Sequence, residues 1–147
     1  MLYVECYPET TLAKMLGIPR KKITHASGKG DVCKKLSKNR NSKGLIDEDP
    51  YSTQPNYLKR LELLAEENDV KLLIDNKNRN QTVVICPKLE DWIITATKEV
   101  GTDLRDFGLP NDPYELHKII HLRLDKFERL LKALIGKSRR LNTLKNS

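Results

Sequence analysis

Two aspartates follow the short apolar run at residues 44–46, and their spacing is the first feature of this chain that suggests chemistry. Asp47 and Asp49 lie two positions apart, so on an extended strand their side chains point the same way and repel each other unless a cation lies between them. Carboxylate oxygens at the carboxyl ends of neighbouring strands are the ligands that Mg²⁺ requires on an α/β sheet. The pair therefore predicts a divalent-metal site and phosphoryl-transfer chemistry, although a turn before Pro50 would also account for Asp49 alone.

Three glutamates are candidates to complete this site. Glu5 ends the first apolar run, residues 2–4, where a strand covered on both faces leaves little room for an outward-facing carboxylate. Glu9 follows four residues later, in the first turn of a predicted helix, so both carboxylates can reach one cation above the strand end. Complementing the helix dipole is the alternative role of Glu9. Glu90 lies in the first turn of a later predicted helix, where capping is again the alternative.

A glycine loop at residues 27–30 precedes another predicted helix. Its sequence, Ser-Gly-Lys-Gly, exposes backbone N–H groups at the positive end of a helix dipole, with the ammonium of Lys29 beside them. Such a loop can hold a phosphate group, and an ordinary strand-to-helix turn is the alternative. The loop is too short for a P-loop, and no dinucleotide-binding glycine motif is present, so nucleotide-cofactor binding is disfavoured.

Positive charge is concentrated in two zones of the chain. Residues 14–43 hold ten lysines and arginines against the single acid Asp31, and residues 129–147 hold six against none. The formal net charge of the whole chain is +7. Basic zones beside clustered acids predict contact with a phosphate backbone, although lysine-rich surfaces also serve simply as solvated faces. The predicted nucleic-acid contacts are Lys21, Lys22, Lys29, Lys34, Lys35, Arg139 and Arg140.

Alternating strands and helices must position these residues. Apolar runs predict strands near residues 2–6, 22–26, 44–48, 70–74 and 82–86, and helical spacing predicts helices near residues 8–16, 30–36, 56–67, 87–100 and 112–135. This alternation predicts an α/β fold, with a largely parallel sheet covered by helices on both faces. The only predicted subdivision is an α/β core over residues 1–100 and a helical C-terminal appendage with a basic tail over residues 101–147.

Several other classes of protein and site are disfavoured by the sequence. No apolar stretch approaches the roughly 20 residues that span a bilayer, and residues 1–7 lack the features of a signal peptide. A cytoplasmic protein that does not enter a membrane is therefore expected. The three cysteines lack CxxC spacing, which argues against a zinc site. His117 and His121 lack the HExxH pattern and are predicted to be ordinary residues of the 112–135 helix.

In the order and spacing of these motifs the chain resembles the Toprim domain, which topoisomerases, bacterial primases, small ribosomal-RNA maturases and overcoming-lysogenisation-defect (OLD) nucleases share. The order is most similar to that of the OLD type, in which a second acid follows the first by four residues. The resemblance covers about residues 2–100. Cys6 stands where the family usually has glycine, and Pro50 directly follows the aspartate pair. These two departures affect the expected cradling of substrate more than the metal site.

The resemblance implies a nuclease that depends on Mg²⁺ or Mn²⁺ and cleaves DNA or RNA. One or two ions would stabilise the attacking and leaving oxygens of a phosphodiester displacement. Glu5, Asp47 and Asp49 would hold the principal ion and take part in catalysis, while Lys29 would neutralise charge on the scissile phosphate. Glu9, with Glu90, would complete the site of a second ion, so the implied metal ligands are Glu5, Glu9, Asp47, Asp49 and Glu90.

The resemblance also implies partners for this chain. OLD-type nucleases typically act with an ATPase, fused or separate, and this chain has no ATPase motif. A separate ATPase subunit, as in antiviral defence systems, is therefore expected, and a homo-oligomer is left open. Two alternative functions stay open at this point: a non-catalytic Toprim-fold module that binds a partner or nucleic acid, and a Toprim enzyme that processes ribosomal RNA.

Overall fold

In the computed structural model, which describes residues 1–147, a six-stranded sheet carries helices on both faces. The strands are β1 (Leu2–Val4), β2 (Ile23–His25), β3 (Lys43–Asp47), β4 (Glu62–Glu67), β5 (Val70–Asp75) and β6 (Asn80–Ile85). The helices are α1 (Tyr7–Met15), α2 (Lys29–Ser37), α3 (Asn56–Lys59), α4 (Leu89–Glu99), α5 (Pro113–Ile120), α6 (Leu124–Leu134) and α7 (Arg139–Lys145). None of these helices has the length and apolar character that crossing a membrane requires.

The order of strands in the sheet is β2-β1-β3-β6-β5-β4. The four strands β2, β1, β3 and β6 are parallel, whereas β5 runs antiparallel to β6, and β4 runs antiparallel to β5. The predicted α/β class with a mostly parallel sheet is thus confirmed. Because four parallel strands point the same way, their carboxyl ends meet at one edge of the sheet, where ligand sites of such sheets usually lie.

Alternate residues of the central strands face two separate apolar cores. Leu45 of β3 and Val83 of β6 belong to the larger cluster, which also includes residues of α1 and of α4 to α7. Ile46 and Val84, the next residues along the same strands, belong to a smaller cluster with residues of α2. This period of two is the signature of a strand buried on both faces, and it explains why successive residues in the middle of these strands are apolar.

The C-terminal helices are part of the larger core. Leu116, Phe127 and Leu141 are buried in the same cluster as Val4 and Ile85 of the sheet. Residues 101–147 therefore share one core with the sheet rather than forming an appendage to a finished 1–100 core, because α5, α6 and α7 bury apolar side chains together with those of α1 and α4. The predicted 112–135 helix is also corrected, since the chain turns between α5 and α6 and so buries apolar residues of both helices in one core.

The predicted helix over residues 56–67 is wrong for most of its length. Only Asn56–Lys59 is helical, and Glu62–Glu67 forms the edge strand β4, which is exposed throughout. Asn68 and Asp69 connect β4 to β5 with positive φ angles of 52° and 58°, the backbone of a two-residue hairpin turn. Pairing with β5 therefore overrides a leucine spacing that also fits a helix.

Candidate metal centre

Three carboxylates converge at the carboxyl edge of the parallel strands. Glu5 directly follows β1, and Asp47 is the last residue of β3, which is the neighbour of β1 in the sheet. Glu9 lies in the first turn of α1, which begins two residues after Glu5. One ligand atom from each of Glu5, Glu9 and Asp47 lies within 4.8 Å of the others. The structure thus brings together three of the five predicted metal ligands.

Short hydrogen bonds hold two of these carboxylates in place. The backbone N–H of Asp47 donates to Oε1 of Glu5 at 2.5 Å, which ties the first glutamate to the end of β3. The thiol of Cys6 donates to Oε2 of Glu9. Cys6 occupies the position before α1, where its side chain can reach back to a residue of the first turn. The cysteine that replaces the expected glycine therefore orients a member of the cluster.

Burial and mutual repulsion oppose ionisation of the three acids. Removal from water, reinforced by the charges of Glu9 and Glu5, raises the pKa of Asp47 to about 9. Burial likewise raises the pKa of Glu9 to about 7, with Glu5 adding to the effect. The pKa of Glu5 is also raised by burial, although its hydrogen bond from Asp47 and the charge of Lys29 oppose that rise. Ionisation of all three acids therefore requires an additional positive charge close to them.

No basic side chain of the protein meets that demand. None of the ten ion pairs in the structure involves Glu5, Glu9 or Asp47. Moreover, Oδ1 of Asp47 is shielded from solvent and has no hydrogen-bond partner. A buried carboxylate oxygen without a partner is costly unless something else binds it. Three converging carboxylates match the donor set of a hard cation such as Mg²⁺ or Mn²⁺, so the residues present fit the predicted metal.

Asp49 stands apart from these three acids. It adopts a positive φ of 42°, and its Oδ1 lies 3.7 Å from the Nζ of Lys88. Its side chain is partly exposed and lines one cleft with Glu5, Glu9 and Asp47, but it does not belong to the group of converging ligand atoms. The i, i+2 geometry on which its prediction rested does not extend past Asp47, because β3 ends there.

Glu90, the fifth predicted ligand, is buried but has a different partner. Its Oε1 lies 2.7 Å from Nδ1 of His117, a residue of α5. Its negative charge contributes to the raised pKa values of Glu5, Glu9 and Asp47, so it lies near the cluster. Glu90 therefore belongs to the surroundings of the centre, and the second ion that it was expected to hold with Glu9 has no ligand cluster in this structure.

The three acids lie in a cleft of about 900 Å³ whose rim comes from several segments of the chain. Lys29 lines it, with its Nζ donating to the backbone oxygen of Glu48 at 2.8 Å and to Oε1 of Gln54 at 3.3 Å. The cleft residues that the sequence did not single out as site residues include Tyr51, Lys88, Tyr114, His117 and His121. Those from 114 to 121 carry no local signal of a site, because only the packing of α5 beside α4 brings them to the cleft.

Most of the predicted basic contacts do not surround this cleft. Lys21 and Lys22 precede β2, so they lie at the amino end of the parallel strands, opposite the acids. Lys34 and Lys35 lie near the end of α2, which runs back toward that same end before β3 begins. Of the predicted set only Lys29 lines the cleft.

The two C-terminal arginines also lie elsewhere. Arg139 lines a separate groove between α7 and the β4–β5 hairpin. The guanidinium of Arg140 is largely buried and pairs with Asp69 at 2.7 Å and with Glu99 at 2.9 Å. Arg140 is thus an internal structural cation rather than a surface contact for phosphate, which corrects its predicted role.

Comparison of the chain with protein-family models, with curated proteins and with solved structures found no match. The site itself consists of three converging carboxylates, one buried and two half-buried, with an unpartnered oxygen, which lie at the carboxyl edge of a parallel sheet and line an open cleft.

Proposed function

We propose that this chain is a divalent-metal-dependent nuclease with a Toprim-type active site, which hydrolyses phosphodiester bonds of DNA or RNA. The observation that carries the proposal is the convergence of Glu5, Glu9 and Asp47 around a shielded, unpartnered carboxylate oxygen. The order of these acids along the chain, with Glu5 and Asp47 at the ends of adjacent parallel strands and Glu9 in the first turn of α1, supports the Toprim resemblance. The separate ATPase subunit stays a prediction from that resemblance alone.

Each cleft residue has a definable role in this proposal. A bound Mg²⁺ or Mn²⁺ would supply Lewis acidity toward a phosphate oxygen and a more acidic water molecule. Glu5, Glu9 and Asp47 would hold that ion, and the hydrogen bonds from Asp47 and Cys6 keep two of the carboxylates oriented toward it. Lys29 has two of its three donors engaged, which leaves one to contact a phosphate oxygen.

A hydrolytic site accounts for the acid cluster better than a non-catalytic scaffold does. Like charges buried together destabilise a folded protein, and neutral side chains of similar size would fill the same space without that penalty. A module that only binds a partner through its surface gains nothing from such a cluster. An open cleft above the acids also admits a substrate, which a purely structural ion would not need.

The decisive experiment measures cleavage by the purified full chain. Plasmid DNA, single-stranded DNA and structured RNA would be incubated with Mg²⁺, with Mn²⁺ or with EDTA. We expect cleavage that requires the metal and is lost in the variants Asp47→Asn and Glu9→Gln. Glu62→Gln, on the exposed edge strand β4, is the matched control and should retain full activity. Equal activity of wild type and Asp47→Asn would refute a catalytic role of this cluster.

Metal binding can be measured independently of cleavage. Calorimetric titration of the wild type with Mn²⁺ should show one site, because the structure has one cluster of converging carboxylates. Asp47→Asn should abolish that binding, whereas Glu62→Gln should leave it unchanged. Two equivalent sites in the titration would contradict the single-centre geometry.

A further inference from the structure

Two of the three exposed aromatic side chains of this protein line the acid cleft, and the third lies next to cleft residues in the chain. Three aromatic residues are exposed: Tyr7 at 55%, Tyr51 at 99% and Tyr114 at 68%. Tyr51 and Tyr114 line the cleft, and Tyr7 lies between Cys6 and Pro8, which line it too. The largest aromatic side chains elsewhere, Trp92 and Phe127, are fully buried. Aromatic rings normally bury 150–250 Å² each, so rings left in water around one cleft indicate a binding role.

Two of these rings already take part in contacts of the kind that bases make. The ring of Tyr7 stacks on that of His25 with centroids 4.1 Å apart and planes 9° apart. The Nζ of Lys118 lies 4.1 Å from the centroid of the Tyr114 ring, which places a positive charge beside an aromatic face. Stacking surfaces beside a cation are how proteins hold unpaired nucleotides.

The distribution of charge also favours an unpaired strand over a duplex. A duplex hides the faces of its bases and is held mainly by basic side chains on its phosphates. Most of the basic residues of this chain that could do so, among them Lys21, Lys22 and Lys34, lie away from the cleft, and only Lys29 and Lys88 line it. The mouth of the cleft instead offers aromatic faces, which contact bases only when these are unstacked.

We infer that the cleft takes an unpaired nucleic-acid strand, whose bases stack on Tyr51 and Tyr114 while a phosphate reaches the carboxylate cluster. This inference rests on the proposed nuclease function and names its substrate class. It assigns the two tyrosines to strand binding, a role that no feature of their local sequence indicates. DNA and RNA strands share the chemistry that the tyrosines would recognise, so the experiment includes both.

Strand binding can be measured by fluorescence anisotropy of the wild-type protein in Ca²⁺, which accepts the same oxygen ligands as Mg²⁺. The probes are a short labelled DNA strand, the RNA strand of the same sequence and the corresponding DNA duplex. We expect either or both single strands to bind more tightly than the duplex. Tyr51→Ala and Tyr114→Ala should each weaken single-strand binding by roughly 5- to 100-fold, the range for loss of one base–aromatic stack.

Two controls separate stacking from other effects. Tyr51→Phe and Tyr114→Phe keep the ring and should bind almost as well as the wild type. Leu64→Ala removes a side chain that is 65% exposed on the edge strand β4, outside the cleft, and should change nothing. Because the tyrosines are exposed, their variants should melt at the wild-type temperature, so a binding loss would not reflect unfolding.

The outcomes distinguish this inference from the proposed function. Metal-dependent cleavage that needs Asp47 but is indifferent to both tyrosines would overturn the inference and leave the nuclease proposal intact. Tyrosine-dependent binding of single strands without cleavage in any metal would support the strand site and overturn hydrolysis. Duplex binding as tight as single-strand binding, unaffected by Tyr51→Ala, would likewise overturn the inference.

Discussion

Consecutive acids at the end of β3 have opposite surroundings. Asp47 turns toward Glu5 and Glu9 and meets no basic side chain, and its Oδ1 is shielded from water. Glu48 instead pairs with Lys71 at 2.7 Å, and Asp49 lies 3.7 Å from Lys88. Glu48 and Asp49, which are partly exposed, are thus each paired with a lysine of the protein. Asp47 has only other acids beside it.

This difference distinguishes acids whose charge is balanced by a lysine of the protein from acids whose charge would be balanced by a bound metal ion. A partly exposed acid beside a lysine contributes at most about 1 kcal/mol and has no need of a metal. A shielded acid among other acids destabilises the folded protein when it is ionised, unless a bound cation balances its charge. Spacing along the chain does not reveal which acid is of which kind, but the presence or absence of a basic partner does.

The largest expected effect distinguishes Asp47 from Asp49 in catalysis. Asp47→Asn removes a metal ligand and should lower the rate of metal-dependent cleavage by about a thousandfold. Asp49→Asn breaks only a contact with Lys88 and should lower it by about tenfold at most, because a partly exposed ion pair contributes little. Initial rates on one substrate at saturating Mn²⁺ measure both. Equal losses in the two variants would contradict this difference and would indicate that Asp49 also binds the metal.

The dependence of stability on pH tests the electrostatic side of the comparison. Between its ordinary pKa of 3.8 and the raised value of about 9, Asp47 holds a proton in the folded protein that the unfolded chain has released. The free energy of unfolding should therefore fall as the pH rises through that window in EDTA, and Glu9 should add to the fall up to about pH 7. Thermal melting at several pH values measures this slope.

Asp47→Asn and added metal serve as the controls for that measurement. The variant has no carboxylate at position 47 to titrate, so its stability should fall less steeply with pH than that of the wild type. Mn²⁺ should raise the melting temperature of the wild type most at high pH, where protons compete least for the carboxylates. Identical slopes for wild type and variant would show that Asp47 is not strained by its neighbours.

Adjacent arginines extend the comparison from acids to bases. The side chain of Arg140 is 10% exposed and bound to Asp69, Glu99 and the backbone oxygen of Asn68, so Arg140→Met should cost about 2 kcal/mol of stability through the loss of these hydrogen bonds. Arg139→Met changes an exposed residue and should alter stability by less than about 0.5 kcal/mol. Urea unfolding of both variants measures the difference, and similar values for the two would contradict the structural role of Arg140.

A smaller effect than that of Arg140→Met is expected at the ion pair of Glu48 and Lys71. Glu48→Gln weakens a contact of a partly exposed carboxylate with Lys71, so the free energy of unfolding should fall by less than about 1 kcal/mol. Mn²⁺ affinity in a calorimetric titration should be unchanged, because Glu48 does not belong to the converging cluster. A large loss of Mn²⁺ binding in this variant would show that Glu48 also belongs to the metal site.

Local sequence patterns were enough to predict much of this molecule. The apolar runs that form β1, β3 and β6 and the helical spacing of α1 and α4 depend on residues near each other in the chain, so they are readable from sequence. The runs of β1 and β3 ended in acids, and parallel pairing of these neighbouring strands brings such ends together. Glu5, Glu9 and Asp47 were therefore predictable as one cluster.

Packing between distant segments decided the rest. β4 is a strand rather than a helix because β5 supplies its backbone partners, and Arg140 is internal because Asp69 lies beside it after folding. Asp49 and Lys88 are 39 positions apart in the numbering of the chain, and Glu90 and His117 are 27 apart, yet each pair meets at the cleft. Local periodicity does not encode such contacts, so only the tertiary structure could show which acids lack a basic partner. For the same reason, only the tertiary structure could show that the exposed residues Tyr51 and Tyr114 line one cleft.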